Sequence, residues 1–303
     1  MITLSAEGIS VSMSPERGGK ITSLNDTQRA REWLEPSDGE LSGPVARDAS
    51  FDEGDMCGWD EVMPTIEACR HPVTGAPLGD HGELWRQSWT VTARSPDSVT
   101  TSVGDEVLGY RLERTLRVSP HALRVDYRVV TEASDLPLLW AAHPLFAARA
   151  GTRVFADVEP LDLAGRPWPA GGVAVSSDLA AGSGRKVFLR PRGEQALSWL
   201  VDLDGSCLSL RWPRQRVPFL GLWLDHCSLS RHPVVGIEPT NGCDDSLAAA
   251  YAVRSEESAA ALCLRRWSLV VSVGTAPEDG STPTRGGVAL GEWFDDPKGE
   301  VVS

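Results

Sequence analysis

The chain has 303 residues, 41% of them apolar, and its 29 basic against 42 acidic side chains leave a formal net charge of −13. That balance repels phosphate backbones and anionic bilayers, so neither nucleic acid nor a membrane surface is expected as a partner. No apolar run reaches the ~20 residues that span a bilayer, and the six cysteines include no C-x-x-C pair of a zinc ribbon or redox motif.

From the N-terminus, "MITLSAEGISVSMSP" alternates and lacks the basic-then-apolar layout of a signal peptide. A cytoplasmic location is expected, with the cysteines as buried residues or free thiols. Alternation continues in "LWRQSWTVTA" (84–93), which opens a strand just after His81, and in "YRLERTLRV" (110–118). "ALRVDYRVV" is the clearest case: Leu123, Val125, Tyr127 and Val129 face one way, with Arg124, Asp126 and Arg128 opposite. Ser119-Pro120-His121-Ala122 joins these two runs as a hairpin. "LPLLWAAHPLF", "TRVFADV", "KVFLRP", "ALSWLVDL", "CLSLRWP", "FLGLWLDH", "VVGIEP" and "LCLRRWSLVVSV" follow, parted by Gly, Pro, Asp and Ser turns. "SLAAAYAV" (246–253) holds one short helical turn. About fifteen strands with very little helix predict an all-β fold, a large antiparallel β-sandwich. Residues 1–274 are read as one domain, with long loops over 163–186. Residues 275–303 are a Pro/Gly-rich acidic extension, whose Trp293 and Phe294 pin it to the body or to a second subunit.

A sandwich binds small ligands on one face or at its loops, so polar groups inside apolar strands are the informative ones. His143 ends the apolar run "LLWAAHPLF", and Glu238 ends "VVGIEP", where burying a carboxylate is costly without a partner or a task. His81 stands between Asp80 and Gly82. Each has a bland reading: a hydrogen-bonded core histidine, a structural ion pair, a turn residue. Together they suggest two imidazoles and one carboxylate in one site. Eleven tryptophans against three tyrosines and six phenylalanines suit a ligand with an apolar ring face.

In order and spacing these segments resemble the aldose 1-epimerases, or galactose mutarotase-like proteins. "SPERGGKITSL" is similar to their Gly-Gly segment near the start and "REWL" to the piece after the first hairpin. "GWDEVMPTIEACRHP" followed by "GDHGELWRQSW" is similar to the W/F-D-E-x-x-P-T and D-H-G-E-x-W signatures of one bacterial branch. "AAHPLF" stands where the family has a histidine followed by an aromatic, and "GIEPTNG" where it has its catalytic glutamate. The resemblance implies a galactose mutarotase-like supersandwich and a cofactor-independent isomerase, with no metal, acting on a small sugar as a monomer or homodimer.

It implies Glu238 as the base that takes the anomeric proton, His143 as the acid at the ring oxygen and His81 as a supporting imidazole. With ordinary pKa values of about 4.3 and 6.5, the glutamate would be mostly charged and the histidine near its midpoint at neutral pH. Arg70, Trp59, Asp60, Glu61 and Trp223 are the candidate substrate-binding residues. The family's sugar-binding aspartate corresponds to Asp178, Asp202 or Asp204, and Pro144-Leu145-Phe146 departs from its usual aromatic-asparagine pair. Three other readings stand beside this one: a non-catalytic carbohydrate-binding protein, an epimerase of sugar phosphates using Arg70, Arg86 or Arg185-Lys186, and a metal site built on His81, Glu83, His143 and Glu238.

Overall fold

Alternating strands bury one face each, and the computed structural model shows where those faces go. It describes residues 1–37, 49–52, 54–254, 260–263 and 265–277. In chain order the strands are β1 (Ile2–Ala6), β2 (Ile9–Ser14), β3 (Lys20–Asp26), β4 (Arg31–Glu32), β5 (Trp59–Val62), β6 (Cys69–Arg70) and β7 (Pro77–Leu78). Next come β8 (Thr90–Arg94), β9 (Ser98–Asp105), β10 (Tyr110–Ser119), β11 (Ala122–Thr131), β12 (Ala141–Ala147) and β13 (Arg153–Ala156). After the short helix α1 (Val175–Asp178) follow β14 (Ser183–Leu189), β15 (Gln195–Val201), β16 (Ser206–Pro213), β17 (Phe219–His226) and β18 (Val234–Thr240). Helix α2 (Leu247–Ala252) and β19 (Arg266–Thr275) complete the described elements.

Two antiparallel sheets result. One has the order β1-β2-β3-β5-β12-β18-β17-β14, with β4 alongside β3; the other runs β13-β15-β16-β19-β11-β10-β9-β8. The pair β6–β7 stands apart. A single hydrophobic core draws on both sheets, from Leu24, Trp59 and Ile237 on one to Leu112, Val125 and Leu269 on the other. This is the expected β-sandwich with very little helix. The β10–β11 hairpin has the expected register, Ser119 opposite Ala122, with Leu123, Val125, Tyr127 and Val129 buried. Ser246 caps the expected helical turn by accepting from the Ala249 amide. No helix among the described residues is long and apolar enough to cross a membrane. The segment carrying Trp293 and Phe294 lies outside the described residues.

One element differs. The strand expected to start at Leu84 begins at Thr90, and residues 81–89 form a chain of turns. Indole N–H groups hold these turns: Trp85 Nε1 donates to Asp80 O (3.2 Å) and Trp89 Nε1 to Leu84 O (3.0 Å). Local side-chain hydrogen bonds here outcompete the ladder that the alternation suggested.

Candidate active site

The site lies on the outer face of the first sheet, across strands β12, β18, β17 and β14. Antiparallel partners point their side chains the same way, and the register pairs Leu145 with Gly236, Trp223 with Gly236, Gly221 with Glu238 and Lys186 with Trp223. Period two puts His143 beside Leu145 and Glu238 beside Gly236 on that face. A cavity of about 330 Å³ opens there, lined by His143, Glu238, Lys186 and Trp223 from the sheet. Loops complete it with Phe51, Asp52, Met56, Asp80, His81, Leu229, Ser230 and Asp245.

Glu238 has no exposed surface, and Lys186 Nζ donates to its Oε2. Among the described residues its Oε1 has no hydrogen-bond partner, and it lies 3.8 Å from His143 Nε2. The sequence puts glycine where this carboxylate needs room. A Cβ on Gly236 would stand 2.8 Å from Glu238 Oε1. His143 is buried, and its Nδ1 also lacks a partner. Burial first, then the nearby charges of His81, Lys186 and Lys20, push its pKa well below the ordinary histidine range. His143 is therefore a neutral imidazole at pH 7, rather than a histidine near its midpoint.

His81 is reached differently. It sits in the left-handed backbone region with φ 55°, uncommon for a residue with a side chain. Its amide donates to Ile66 O at 2.7 Å, and Gly82 follows at φ 66°. A Cβ on Gly82 would collide with Met63 O at 2.1 Å, so this turn accepts only glycine next to the histidine. The ring is fixed on two sides. Nδ1 lies 2.8 Å from Asp80 Oδ1, and the ring stacks on Phe51 with centroids 4.1 Å apart. Asp80 Oδ2 accepts the Phe51 amide at 2.7 Å, so one carboxylate holds both members of the stack. Burial works against the Asp80 charge, but the hydrogen bond and charge of His81 outweigh it and hold this carboxyl below the usual range. The His81 and His143 rings meet edge to face, centroids 5.2 Å apart.

Three residues far apart in sequence thus converge as a carboxylate and two imidazoles on one cavity. Solved structures with the same architecture are numerous. A protein from Synechocystis sp. PCC 6803 superposes with a TM-score of 0.69 at 16% identity, covering 91% of this chain and 96% of its own. A candidate aldose 1-epimerase from Escherichia coli K12 gives 0.64 at 17% identity, with 90% and 98% covered. A galactose mutarotase-like protein from Lactobacillus casei gives 0.63 at 18%, with 91% and 100% covered. The chain has the galactose mutarotase-like fold. No family model and no curated protein matches its sequence.

On this mutarotase-like frame the other expected binding residues fall in different places. Trp223 lines the cavity. Trp59 is fully buried in the core between the sheets. Asp60 shares the face of its partner His143, yet it is sealed off from the cavity and paired with Lys20 Nζ at 2.5 Å. That ammonium also donates to the carbonyls of Asp55 and Cys57. Glu61 points inward and ties the sheets together. It accepts from Arg114 (3.0 Å), the Tyr127 hydroxyl (2.8 Å) and the Trp140 indole (2.9 Å). Arg70 is exposed on β6 and donates to Gly75 O.

None of the three expected aspartates reaches the cavity. Asp178 lies by Arg153, Asp202 is buried against Arg31 and Thr152, and Asp204 caps a turn at the Ser206 amide. The aspartates found there instead are Asp52, Asp80 and Asp245, the last with its Oδ1 3.5 Å from Lys186 Nζ. A signal for Asp245 was present in the adjacent "NGCDDS" ahead of α2, only a few residues after Glu238. Glu83 is absent from the cavity wall, and no three His, Cys, Asp or Glu side chains among the described residues are grouped to hold a metal ion. His226 binds Leu179 O and His232 binds Glu35, so these two histidines serve separate loops.

Proposed function

We propose that this protein is an isomerase of the aldose 1-epimerase type, interconverting the α- and β-anomers of a free aldose. The observation that carries the reading is the unpartnered Oε1 of buried Glu238, 3.8 Å from an imidazole nitrogen on the wall of a sugar-sized cavity. A carboxylate oxygen without a hydrogen bond is positioned to accept one from a ligand hydroxyl, and to take its proton.

The reaction needs a base at the anomeric hydroxyl and an acid at the ring oxygen. Glu238 removes the O1 proton, the C1–O5 bond breaks as C1–O1 becomes a carbonyl, and the electron pair left on O5 takes a proton. Between the two imidazoles, the geometry favours His81 as its source. Its Nδ1 is held by the Asp80 carboxylate, which orients the ring and leaves Nε2 for the ligand. His143, held neutral, donates a hydrogen bond rather than a full proton. This reverses the division of labour expected from the resemblance. Rotation about C1–C2 and ring closure with the two proton transfers reversed give the other anomer, and no atom is gained or lost. Trp223 and Phe51 supply apolar faces for the sugar ring.

A sugar-binding protein without turnover would share the cavity, and in it Glu238 Oε1 would only accept a hydrogen bond from a sugar hydroxyl without taking the proton. Polarimetry across a panel of aldoses distinguishes the two. Acceleration of anomer equilibration by the wild type, lost in Glu238→Gln, is the expected result. Binding with equilibration at the buffer rate for every sugar would leave only the binding reading.

A further inference from the structure

Lys186 is a charged residue of the cavity wall that the acid–base reading does not use. It leaves β14 and reaches across β17 to a carboxylate two strands away on β18. The sheet makes room for that reach. Gly221 on β17 stands opposite Glu238, and a Cβ there would lie 3.2 Å from Lys186 Cε and 3.4 Å from Glu238 Oε2. The side chain is 19% exposed, so the ion pair is partly desolvated, and its second carboxylate, Asp245, closes on it at 3.5 Å.

We propose that Lys186 is a positioning residue for the base: its ammonium occupies Oε2 of Glu238, keeps that buried carboxylate charged, and so presents Oε1 to the sugar. This rests on the reading of Glu238 as the proton acceptor. An ionised carboxylate with no exposed surface is unfavourable without a counter-charge, and Lys186 supplies it from the side away from the imidazoles. The groups facing Glu238 are Lys186 from β14, His143 from β12, and Asp245 through the shared ammonium. Of these, only Lys186 brings a fixed positive charge.

A lysine beside an open-chain aldehyde also invites Schiff-base chemistry, which needs a neutral amine. Here burial opposes the charge, but the carboxylates of Glu238 and Asp245 outweigh it and raise the lysine above its ordinary value. The amine stays protonated and is no nucleophile at neutral pH. Its part is electrostatic and geometric.

The test compares wild type, Lys186→Met and Lys186→Arg by two readouts. The first is the pH profile of kcat for anomer exchange. The second is a carbon-13 NMR titration of glutamate carboxyls, with the Glu238 signal assigned by its absence in Glu238→Gln. In Lys186→Met, kcat is expected to fall by about tenfold or more, with its acidic limb moved to higher pH. The Glu238 carboxyl should likewise protonate at higher pH than in wild type, and Lys186→Arg should restore both. An unchanged carboxyl titration in Lys186→Met overturns the proposal, as does a loss of activity with an unmoved pH limb. Lys186→Gln, similar in length but uncharged, replaces the methionine variant if that one does not fold. If the wild type itself accelerates no sugar, the proposed function fails, while the carboxyl titration still decides the role of Lys186.

Discussion

Asp80 accepts from His81 Nδ1 through one oxygen at 2.8 Å and from the Phe51 amide through the other at 2.7 Å. A single carboxylate thereby sets the orientation of the imidazole and of the aromatic ring stacked on it. Asp80→Asn keeps the shape but removes the negative charge that holds the His81 ring at Nδ1. It is expected to lower kcat by about tenfold or more, with a smaller change in KM. Steady-state kinetics on the best aldose check this, and a KM increase with kcat intact would return Asp80 to a purely structural role.

Trp223 faces the cavity on β17, whereas Trp59 is sealed between the sheets. Trp223→Ala is expected to raise KM by about two- to tenfold, the worth of one aromatic face, with little change in melting temperature. Calorimetry on sugar binding measures the same loss directly.

Glu61 offers the opposite test. Its carboxylate is buried and bonded by Arg114, Tyr127 and Trp140, so Glu61→Ala leaves the Arg114 guanidinium buried without its partner. The expected cost is about 3–5 kcal/mol of stability, read by chemical denaturation. The anomer-exchange rate of the fraction that remains folded should be nearly that of wild type.

These contrasts show what was legible in the sequence. Strand alternation is local, so the sandwich, the β10–β11 hairpin and the helical turn at Leu247–Ala252 could be read directly. His143 and Glu238 stood out because a polar group in an apolar run needs a reason, whereas His81, in a polar turn between Asp80 and Gly82, gained weight only beside them. Asp60 and Glu61, taken as substrate-binding candidates beside Trp59, are instead held by Lys20 and Arg114, cations distant along the chain. Lys186 was obscured for the converse cause. In "SGRKVFL" it was legible only as a candidate sugar-phosphate contact beside Arg185, and only the order β14-β17-β18 brings it to Glu238. Sequence spacing does not encode which strands become neighbours.

The buried histidines make stability depend on pH. His143 and His71 both have lowered pKa values, burial being the leading cause in each. The unfolded chain takes up these protons near pH 6.5, while the folded protein resists them. Their combined effect is a loss of stability as pH falls below about 6.5. Denaturation midpoints followed downward from neutral pH should decline less steeply in His143→Gln than in wild type. Equal slopes would mean that His143 is as easily protonated in the folded protein as in the unfolded chain.

Exchange between the α and β signals of an aldose, followed by saturation-transfer NMR, tests the central claim most directly. For at least one sugar, the exchange rate should rise in proportion to wild-type protein and fall to the buffer rate with Glu238→Gln, the variant remaining folded. Equal rates with wild type and Glu238→Gln, or no wild-type acceleration of any aldose, would contradict a Glu238-based epimerase.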